Sequence, residues 1–447
     1  GLGALGLYDF LKDKLSARIS AIGVTVVTLV AVPLRMAAEN WDDHDRSNRY
    51  TARDIAKAYL DSCAPNAILF TNGDNDTFPL WYVQEVEGYR TDVRIVNLSL
   101  LNTDWYIDQA RRKAYDGEPV PFSFEWNQYV QGTRDVLYYQ NPVEGRWDVK
   151  DFIAISKLDG DQYKFPAGGG KMLPMFQQKN LRINIDKEAV LANSVVAQAD
   201  SARIVDYIDW DWKSNVITKR DLMVIDLIAN NDWTRPIYFS ITVGNNPKSF
   251  FWLTDYFRLE GMAYRFVPVQ TPTNANTIEY GEVDTDRMYQ NLVHEFSYGN
   301  MELPDVYLDE TNRRLSYNLL NIFGRLSNAL LEEGKEDKAV EVLDFAMAKM
   351  PPSKFGYNYF NFGIIEAYYR AGALEQARKI TEDFAAQLDA ELEFFASLKK
   401  DDKLRSSNEW KTDVQFYSML GNMVQRFDRE KAPEFIQRIN EATVGLN

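Results

Sequence analysis

Acidic and amide side chains follow two predicted strands of this chain. The first strand, Ala67 to Thr71, runs directly into a polar loop, and the second, Val93 to Leu98, precedes another. Because ligands bind beyond the carboxyl ends of parallel strands, we expect the two loops to share one rim and to form a ligand site. The candidate ligand-binding residues in these loops are Asn72, Asp74, Asp76, Asn102, Asp104 and Trp105.

Asp74 and Asp76 form an Asp-x-Asp pair at the end of the first strand. Carboxylate oxygens suit a divalent cation, and a cation held here would bridge the phosphates of a sugar nucleotide or a lipid. The pair therefore predicts a metal site at Asp74 and Asp76, with a divalent cation as the one cofactor that the sequence suggests. The structural alternative is that these residues cap a helix or form Asx turns, as Asp and Asn commonly do.

A second acidic cluster, Asp42 to Asp45, contains His44. Neighbouring carboxylates favour the protonated form of an imidazole, and a cation or an arginine would relieve their mutual repulsion. His44 is thus a further candidate binding residue, and a hydrated linker beside a membrane is the alternative. The other histidine, His294, lies in a predicted helix and is explained by a surface position.

Several catalytic and nucleotide-binding motifs are absent from the sequence. The glycine-rich segment Ala167 to Met172 lacks the leading glycine and the Ser or Thr of a phosphate-binding loop. No Gly-x-Gly-x-x-Gly follows the first strand, which disfavours a bound dinucleotide. Gly-x-Ser-x-Gly, His-Glu-x-x-His and Cys-x-x-Cys do not occur. The catalytic residues, if this chain has any, are unknown from its sequence.

An apolar run, Ile19 to Leu34, precedes the polar loops and holds 16 residues without a charge. This is slightly shorter than the roughly 17 to 25 residues of a spanning helix. Lysines and arginines lie before the run and acidic residues after it, so the N-terminal side is expected in the cytoplasm and the rest outside. We expect an inner-membrane anchor with the C-terminal body in the periplasm. A buried core helix and a signal peptide are the alternatives.

Charge and composition describe an exported body joined to a membrane segment. The first 36 residues carry four basic and two acidic side chains, which leaves −17 for the remainder of a chain whose total is −15. Such a body repels nucleic acid. With 447 residues, 45% of them hydrophobic, the chain can bury two or three cores. The apolar residues 1–8 look like the end of an earlier hydrophobic segment, so we expect a longer multi-span protein.

The pattern along the chain predicts an α/β region followed by an all-α region. The domains are predicted as a membrane helix and stub at 1–38, a Rossmann-like parallel-sheet domain at 39–300, and a helical domain at 301–447. A helix beginning at Thr51 and a strand, helix and strand over the following 35 or so residues form the expected βαβ unit. Further strands are predicted at Leu222 to Ile228 and Ile237 to Val243. A large insertion at about 116–202 contains short strands such as Leu181 to Ile185.

The helical domain contains an internal repeat. Small residues recur after 38 positions, as Ala329, Gly334 and Ala339 and then as Ala367, Gly372 and Ala377. Alanine where helices cross and glycine at the turn are typical of tetratricopeptide repeats, although their usual spacing is about 34 residues. The repeat predicts either a small solenoid that binds a peptide or a neighbouring domain, or a helical cap on the sheet.

Five segments together resemble a known family. They are Asp42 to Ser47, Ala64 to Pro79, Val96 to Tyr106, Trp233 to Tyr238 and Arg258 to Gly261. They are similar to a large Bacteroidota membrane family of unknown function, described as protein O-mannosyltransferase-like and glycosyltransferase-C-like. One departure is Asn48, where the family has glycine; asparagine still tolerates a left-handed backbone.

The resemblance implies a multi-span region that uses a polyprenyl-phosphate sugar and a C-terminal portion that faces the periplasm. The carboxylate expected to act as catalytic base would lie in that multi-span region, which this sequence lacks. We therefore expect the chain to bind an acceptor protein or a glycan for a membrane catalytic region. Aromatic side chains that could stack on sugar faces are Trp81, Trp105, Trp126 and Trp233. The alternative is a non-enzymatic envelope scaffold that binds proteins through its helical repeats.

Overall fold

The computed structural model describes residues 1–167, 169–243, 251–271 and 280–443. Its N-terminal part consists of α1 (Leu2–Lys12), α2 (Ala17–Leu29), a π-helical turn (Val30–Leu34) and α3 (Arg35–His44). The last three form one helix. The acid-rich segment predicted as a loop therefore begins inside this helix, which ends only at His44.

The 25-residue segment Ala17–Trp41 is long and apolar enough to cross a membrane, with a mean hydropathy of 1.9. Only 11% of its apolar window is buried. The core-helix alternative is therefore wrong, because a core helix would be covered by the rest of the protein. By length and composition this helix is a candidate membrane anchor.

The predicted βαβ unit is present. Helix α4 (Thr51–Asp61) leads to β1 (Ile68–Thr71), α5 (Asp74–Glu85) and β2 (Arg94–Asn97). Every residue of β1 is buried, as its uninterrupted apolar run predicts. The first turn of α5 contains Asp74 and Asp76, so part of the first polar loop is helical.

The region between β2 and the next strand of the main sheet builds two small sheets of its own. Its helices are α6 (Asp104–Ala110), α7 (Trp126–Tyr129), α8 (Val149–Ser156) and α9 (Lys187–Ala192). Its strands are β3 (Val136–Tyr139), β4 (Trp147–Asp148), β5 (Lys164–Ala167), β6 (Lys171–Phe176), β7 (Asn180–Asn184), β8 (Tyr207–Asp211) and β9 (Val216–Thr218). The sheets have the orders β5-β6-β3-β9 and β4-β7-β8. Strand β7 confirms the strand predicted at Leu181 to Ile185.

The strand predicted at Leu222 to Ile228 is wrong, because these residues lie in α10 (Lys219–Asn231). The Thr218 hydroxyl accepts a hydrogen bond from the Asp221 amide, and the Asp221 side chain accepts one from the Thr218 amide, which fixes the start of the helix. All seven residues from Leu222 to Ile228 are buried, including Asp226, the one charged residue among them, so this segment belongs to a helix that is covered on all sides.

The main sheet is mixed rather than fully parallel. Its remaining strands are β10 (Ile237–Ser240), β11 (Phe257–Leu259), β12 (Ala263–Phe266) and β13 (Glu282–Val283), and the order is β13-β11-β12-β10-β1-β2. Strands β10, β1 and β2 are parallel, whereas β12 is antiparallel to both of its neighbours. Among the described strands, the Rossmann-like prediction therefore holds for β10, β1 and β2. Strands β11 and β12 form an antiparallel hairpin, as a short connection allows, and β13 pairs parallel with β11.

The chain after the main sheet is helical, as predicted. The helices are α11 (Thr285–Tyr289), α12 (Glu310–Glu332), α13 (Glu336–Lys349), α14 (Pro352–Phe355), α15 (Asn361–Arg370), α16 (Leu374–Ser397), α17 (Lys400–Arg405), α18 (Ser407–Phe427) and α19 (Ala432–Thr443). Gly334 and Gly372 occupy the turns after α12 and α15 with φ of 72° and 75°, a conformation that favours glycine. Ala367 is fully buried, but Ala329 is only partly buried.

The helical region packs on the main sheet and shares its core. Arg325 of α12 is 5% exposed. Its Nη1 donates to the Tyr264 hydroxyl of β12 at 2.6 Å, and its Nη2 donates to the Tyr280 carbonyl at 2.8 Å. One continuous set of buried apolar residues extends from α4 to α19. Sheet and helices are therefore joined by a buried interface.

Candidate functional site

The carboxyl ends of β1 and β2 lie side by side, as the sequence predicts. The Leu98 amide donates to the Thr71 carbonyl at 2.8 Å. One residue further along each loop, the Ser99 hydroxyl donates to the Asn72 carbonyl at 2.9 Å. The Asn102 side-chain oxygen accepts a hydrogen bond from the Arg220 amide at 3.2 Å, in the first turn of α10. The two polar loops thus form one rim, which α10 closes on one side.

Asp76 is buried in this rim and joins the first turn of α5 to the end of β10. Its Oδ2 accepts hydrogen bonds from the Ser240 hydroxyl at 3.0 Å and the Thr242 hydroxyl at 2.6 Å. Its Oδ1 accepts a hydrogen bond from the Gly73 amide at 3.2 Å, which caps α5. Both oxygens are therefore engaged within the protein, as the capping alternative expects.

Sequence reasoning missed the buried hydroxyls that support Asp76. The Thr71 and Thr77 hydroxyls lie 2.7 Å apart, and the Asn97 side chain donates to Thr77 at 2.9 Å. These contacts tie the end of β1 to α5 and β2. The signal was a polar residue at the last position of β1, β2 and β10, namely Thr71, Asn97 and Ser240.

Asp74 occupies a different environment from Asp76. Its side chain is exposed at the first position of α5, whereas Asp76 is 4% exposed. Within the described ranges, no group of three or more His, Cys, Asp or Glu side chains is arranged to hold a metal ion. Any cation at Asp74 would be bound from the solvent side. The divalent-cation site remains a prediction.

Asp104 anchors the inserted region to the rim. Its Oδ2 accepts a hydrogen bond from the Gln131 amide at 3.0 Å, and its Oδ1 accepts one from the Trp105 amide at 2.7 Å. The hydrogen bond from Gln131 is the largest cause that holds the pKa of Asp104 below its usual value, and the Lys219 charge adds to it. The carboxylate is therefore stabilised in its charged form by protein donors.

An aromatic groove with a volume of about 300 Å³ lies between α5, β2 and α6. Trp105 is 53% exposed at its edge, and its ring packs edge-on against Tyr106 with centroids 5.5 Å apart. Trp81 and Tyr115 also line the groove. So does Arg94, whose guanidinium pKa is lowered by burial. The predicted site residue Trp105 thus belongs to a formed groove.

A separate polar cavity of about 230 Å³ lies between the end of β1 and α12. Asn72 and Asp76 line one side, and Thr311 and Arg314 line the other. The Arg314 side chain is exposed and makes no ion pair within the ranges that the structure describes. From β1 the chain continues to β2, whereas from β10 it continues to the opposite side of the sheet. The cavity lies beyond the ends of these two strands, which is the usual position of a ligand in open α/β sheets.

The remaining candidates lie elsewhere. His44 is exposed at the end of α3, with its Nδ1 2.9 Å from the Asn40 carbonyl oxygen one turn earlier. Trp233 is 9% exposed, packs against Phe266 and lines a different cavity, beside Asp148 and Asp232. Trp126 is 48% exposed on α7, outside the groove. Of the four tryptophans, only Trp81 and Trp105 share a cavity.

Residues 52–287 match the family model of TMEM260-associated domain 2. The chain belongs to this family. The matched range begins in α4, contains both polar loops, the inserted region and the groove, and ends in α11 before the helical region. No curated protein and no solved structure matches the chain significantly.

The TMEM260-associated family agrees with the resemblance found in the sequence. TMEM260 is protein O-mannosyltransferase-like, so the match places this chain in the context of glycosyltransferase-like membrane proteins. The candidate membrane helix at Ala17–Trp41 fits that context. The Bacteroidota origin and the upstream multi-span region stay predictions.

Proposed function

We propose that this chain is the periplasmic C-terminal part of an inner-membrane, glycosyltransferase-like protein. In this proposal the body holds an acceptor protein or glycan, and the upstream membrane region binds the polyprenyl-phosphate sugar and performs the transfer. Membership of the TMEM260-associated family and the candidate anchor at Ala17–Trp41 support this assignment. The excess of basic residues before the apolar segment supports the orientation.

The observation that carries an acceptor-binding role is the aromatic groove at the rim. An exposed Trp105 beside Trp81 presents two large ring systems in one concave surface. Exposed aromatic groups in a pocket of this size are typical of ligand-binding sites. The residues that stabilise the rim, such as Asp76, are saturated with hydrogen bonds inside the protein. Binding, rather than bond cleavage, is the chemistry that these residues support.

We further propose that α12 to α16 form two tetratricopeptide-like units. Each unit is a pair of helices joined at a glycine with positive φ, and the two glycines are 38 positions apart. A surface hollow of about 460 Å³ lies among α13, α15 and α16, lined in part by Tyr357, Tyr368 and Lys379. This hollow supports the second candidate function, a scaffold that binds an envelope protein.

Site-specific photo-crosslinking in living cells tests the two candidates. A photoreactive residue replaces Gln109, which lines the groove, or Lys379, which lines the helical hollow, in the full-length protein. Acceptor binding predicts cross-links from position 109 to glycosylated envelope proteins or to glycans. Cross-links from position 379 alone would support the scaffold instead. Cross-links to cytoplasmic proteins from either position would contradict the proposed orientation.

A further inference from the structure

The aromatic side chains of the groove each contact a neighbouring side chain. The Trp81 ring lies 5.6 Å from the Phe78 ring, and the Trp105 ring lies 5.5 Å from the Tyr106 ring. Tyr115 donates a hydrogen bond from its hydroxyl to Glu85 on α5, which fixes the third aromatic side chain. Side chains that are held before a ligand arrives lose little conformational entropy when it binds. The groove is thus organised to present flat ring faces.

Several hydrogen-bond donors in the groove are unused. The Arg94 Nε is buried and has no partner among the described residues, and its Nη2 makes one hydrogen bond, to the Ala110 carbonyl at 3.3 Å. The indole N–H groups of Trp81 and Trp105 make no hydrogen bond to the described part of the chain. The Arg94 Nε lies too deep for a ligand to reach, but the Nη atoms of Arg94 and the indole N–H groups of Trp81 and Trp105 can donate to an oxygen-rich ligand.

The groove follows an edge strand, but this edge is closed to a peptide. Strand β2 is the last strand of the main sheet. On its open side the Tyr106 hydroxyl accepts a hydrogen bond from the Asn97 amide at 2.8 Å and donates to the Ile95 carbonyl at 3.4 Å. The Gln84 amide donates to the Val93 carbonyl at 2.9 Å. Addition of a peptide strand would have to break these bonds, so main-chain pairing does not explain the groove.

The charges of the groove select against strongly ionic ligands. Arg94 and Glu85 line it together, so it contains one basic and one acidic side chain. The chain as a whole carries a net charge of −15, which disfavours anionic polymers. A neutral ligand with one apolar face and several hydroxyl groups matches the rings, the unused donors and the balanced charge.

We propose that this groove is a binding site for a neutral saccharide unit of the hexose class, and this inference rests on the proposed function because it names the acceptor's chemistry. The faces of Trp81 and Trp105 stack on the C–H face of the sugar ring. Arg94 and the indole N–H groups donate to hydroxyl oxygens, and Glu85 accepts from a sugar hydroxyl. A volume of about 300 Å³ lies at the lower limit of ordinary ligand pockets, as expected for a site that holds one end of a glycan.

Calorimetric titration of the purified full chain in detergent tests this inference. The probes are the methyl glycosides of mannose, glucose, galactose and N-acetylglucosamine, followed by an immobilised oligosaccharide array. We expect at least one probe to bind, and Trp105→Ala and Trp81→Ala each to weaken binding by about tenfold or more, as removal of an aromatic anchor does. Trp105→Phe, which keeps a ring but loses the N–H, should fall between wild type and Trp105→Ala.

Trp126→Ala is the matched control. Trp126 is 48% exposed, and its ring meets Tyr129 at 5.5 Å and 78°, the same geometry as Trp105 against Tyr106. This variant should bind the saccharide like wild type, and equal melting temperatures of the variants would show that all are folded. Absence of binding by every probe, or equal affinity in wild type and Trp105→Ala, would overturn the inference.

The same experiments separate this inference from the proposed function. If position 109 cross-links to acceptor proteins in cells but the purified chain binds no saccharide, the saccharide site is wrong and acceptor binding through protein contacts stands. If saccharide binds in the groove but cells show no acceptor cross-links, the proposed function fails and the site itself remains.

Discussion

Asp226 provides a quantitative test of how the inserted region is held on the sheet domain. This residue of α10 is fully buried. Its Oδ2 accepts a hydrogen bond from the Ser123 amide at 2.6 Å, and its Oδ1 accepts one from the Asn230 side chain at 2.9 Å. Burial raises the pKa of Asp226 from 3.8 to about 6, although the hydrogen bonds from Ser123 oppose the rise.

The direction of the pH effect follows from the raised pKa. The folded protein binds the proton of Asp226 more tightly than the unfolded chain, so this residue stabilises the fold fully below about pH 4 and loses that contribution as pH rises through about 6. A shift of roughly two units corresponds to about 3 kcal/mol. Above about pH 7 the buried carboxylate is charged, and the free energy of unfolding is then about 3 kcal/mol lower than with the protonated form.

Substitution Asp226→Asn isolates this contribution, because asparagine has a similar shape and does not titrate. The free energy of unfolding of wild type, relative to the variant, should fall by about 3 kcal/mol between pH 4 and pH 8. Chemical denaturation of both proteins in the same detergent at a series of pH values measures this difference. A difference that does not change with pH would refute the reasoning and would mean that Asp226 is hydrated or moves on ionisation.

Three further predictions concern the rim, the orientation and the helices. If Asp74 and Asp76 bind a divalent cation, millimolar Ca²⁺, Mg²⁺ or Mn²⁺ should stabilise wild type, by about 2.7 kcal/mol at a hundred times the dissociation constant. The same ions should not stabilise the Asp74→Asn, Asp76→Asn double variant. If wild type melts at the same temperature with and without ions, Asp76 has a purely structural role. A reporter enzyme that works only in the periplasm should be active when fused after Asn447, and activity only in the cytoplasm would reverse the orientation. Ala367→Leu should destabilise the fold by about 1 to 3 kcal/mol, because the larger side chain overpacks a buried position. The partly buried Ala329 should tolerate leucine better. Equal melting temperatures of both variants and wild type would contradict this packing.

The elements that the sequence predicts correctly are those with one dominant local signal. Strand β1 is a short apolar run between a helix stop at Pro65 and a polar loop, and only a strand buried on both faces fits that length. The neighbouring strand and helix follow from the spacing. The helical character of the C-terminal region was also predicted, and Gly334 and Gly372 both lie in turns with positive φ; the tetratricopeptide assignment stays a prediction.

The errors arise where tertiary contacts decide. The segment from Leu222 to Ile228, apolar except for Asp226, is buried on all sides, so its pattern does not distinguish a helix from a strand. The capping pair Thr218 and Asp221 was the signal for a helix. Strands β11, β12 and β13 have only two to four residues each, which is too short for a period to show.

The sequence predicts where the two polar loops lie, but it does not predict the aromatic groove. The rule for strand ends placed Asn72 and Asn102 on one rim. In the structure Ser99 contacts both, because its hydroxyl donates to the Asn72 carbonyl and its carbonyl accepts a hydrogen bond from the Asn102 side chain. The groove depends on where α6 packs against α5, which sets the distance between Trp81 and Trp105. No sequence pattern gives that packing.

The most direct test of the account is the glycan content of envelope proteins in cells that depend on the full-length protein. Cells producing Trp105→Ala and cells producing Trp126→Ala, at equal protein levels, are compared by mass spectrometry of glycopeptides. The account predicts reduced glycan occupancy with Trp105→Ala and wild-type occupancy with Trp126→Ala. Equal occupancy in the two variants would contradict a role of this body in holding the acceptor glycan.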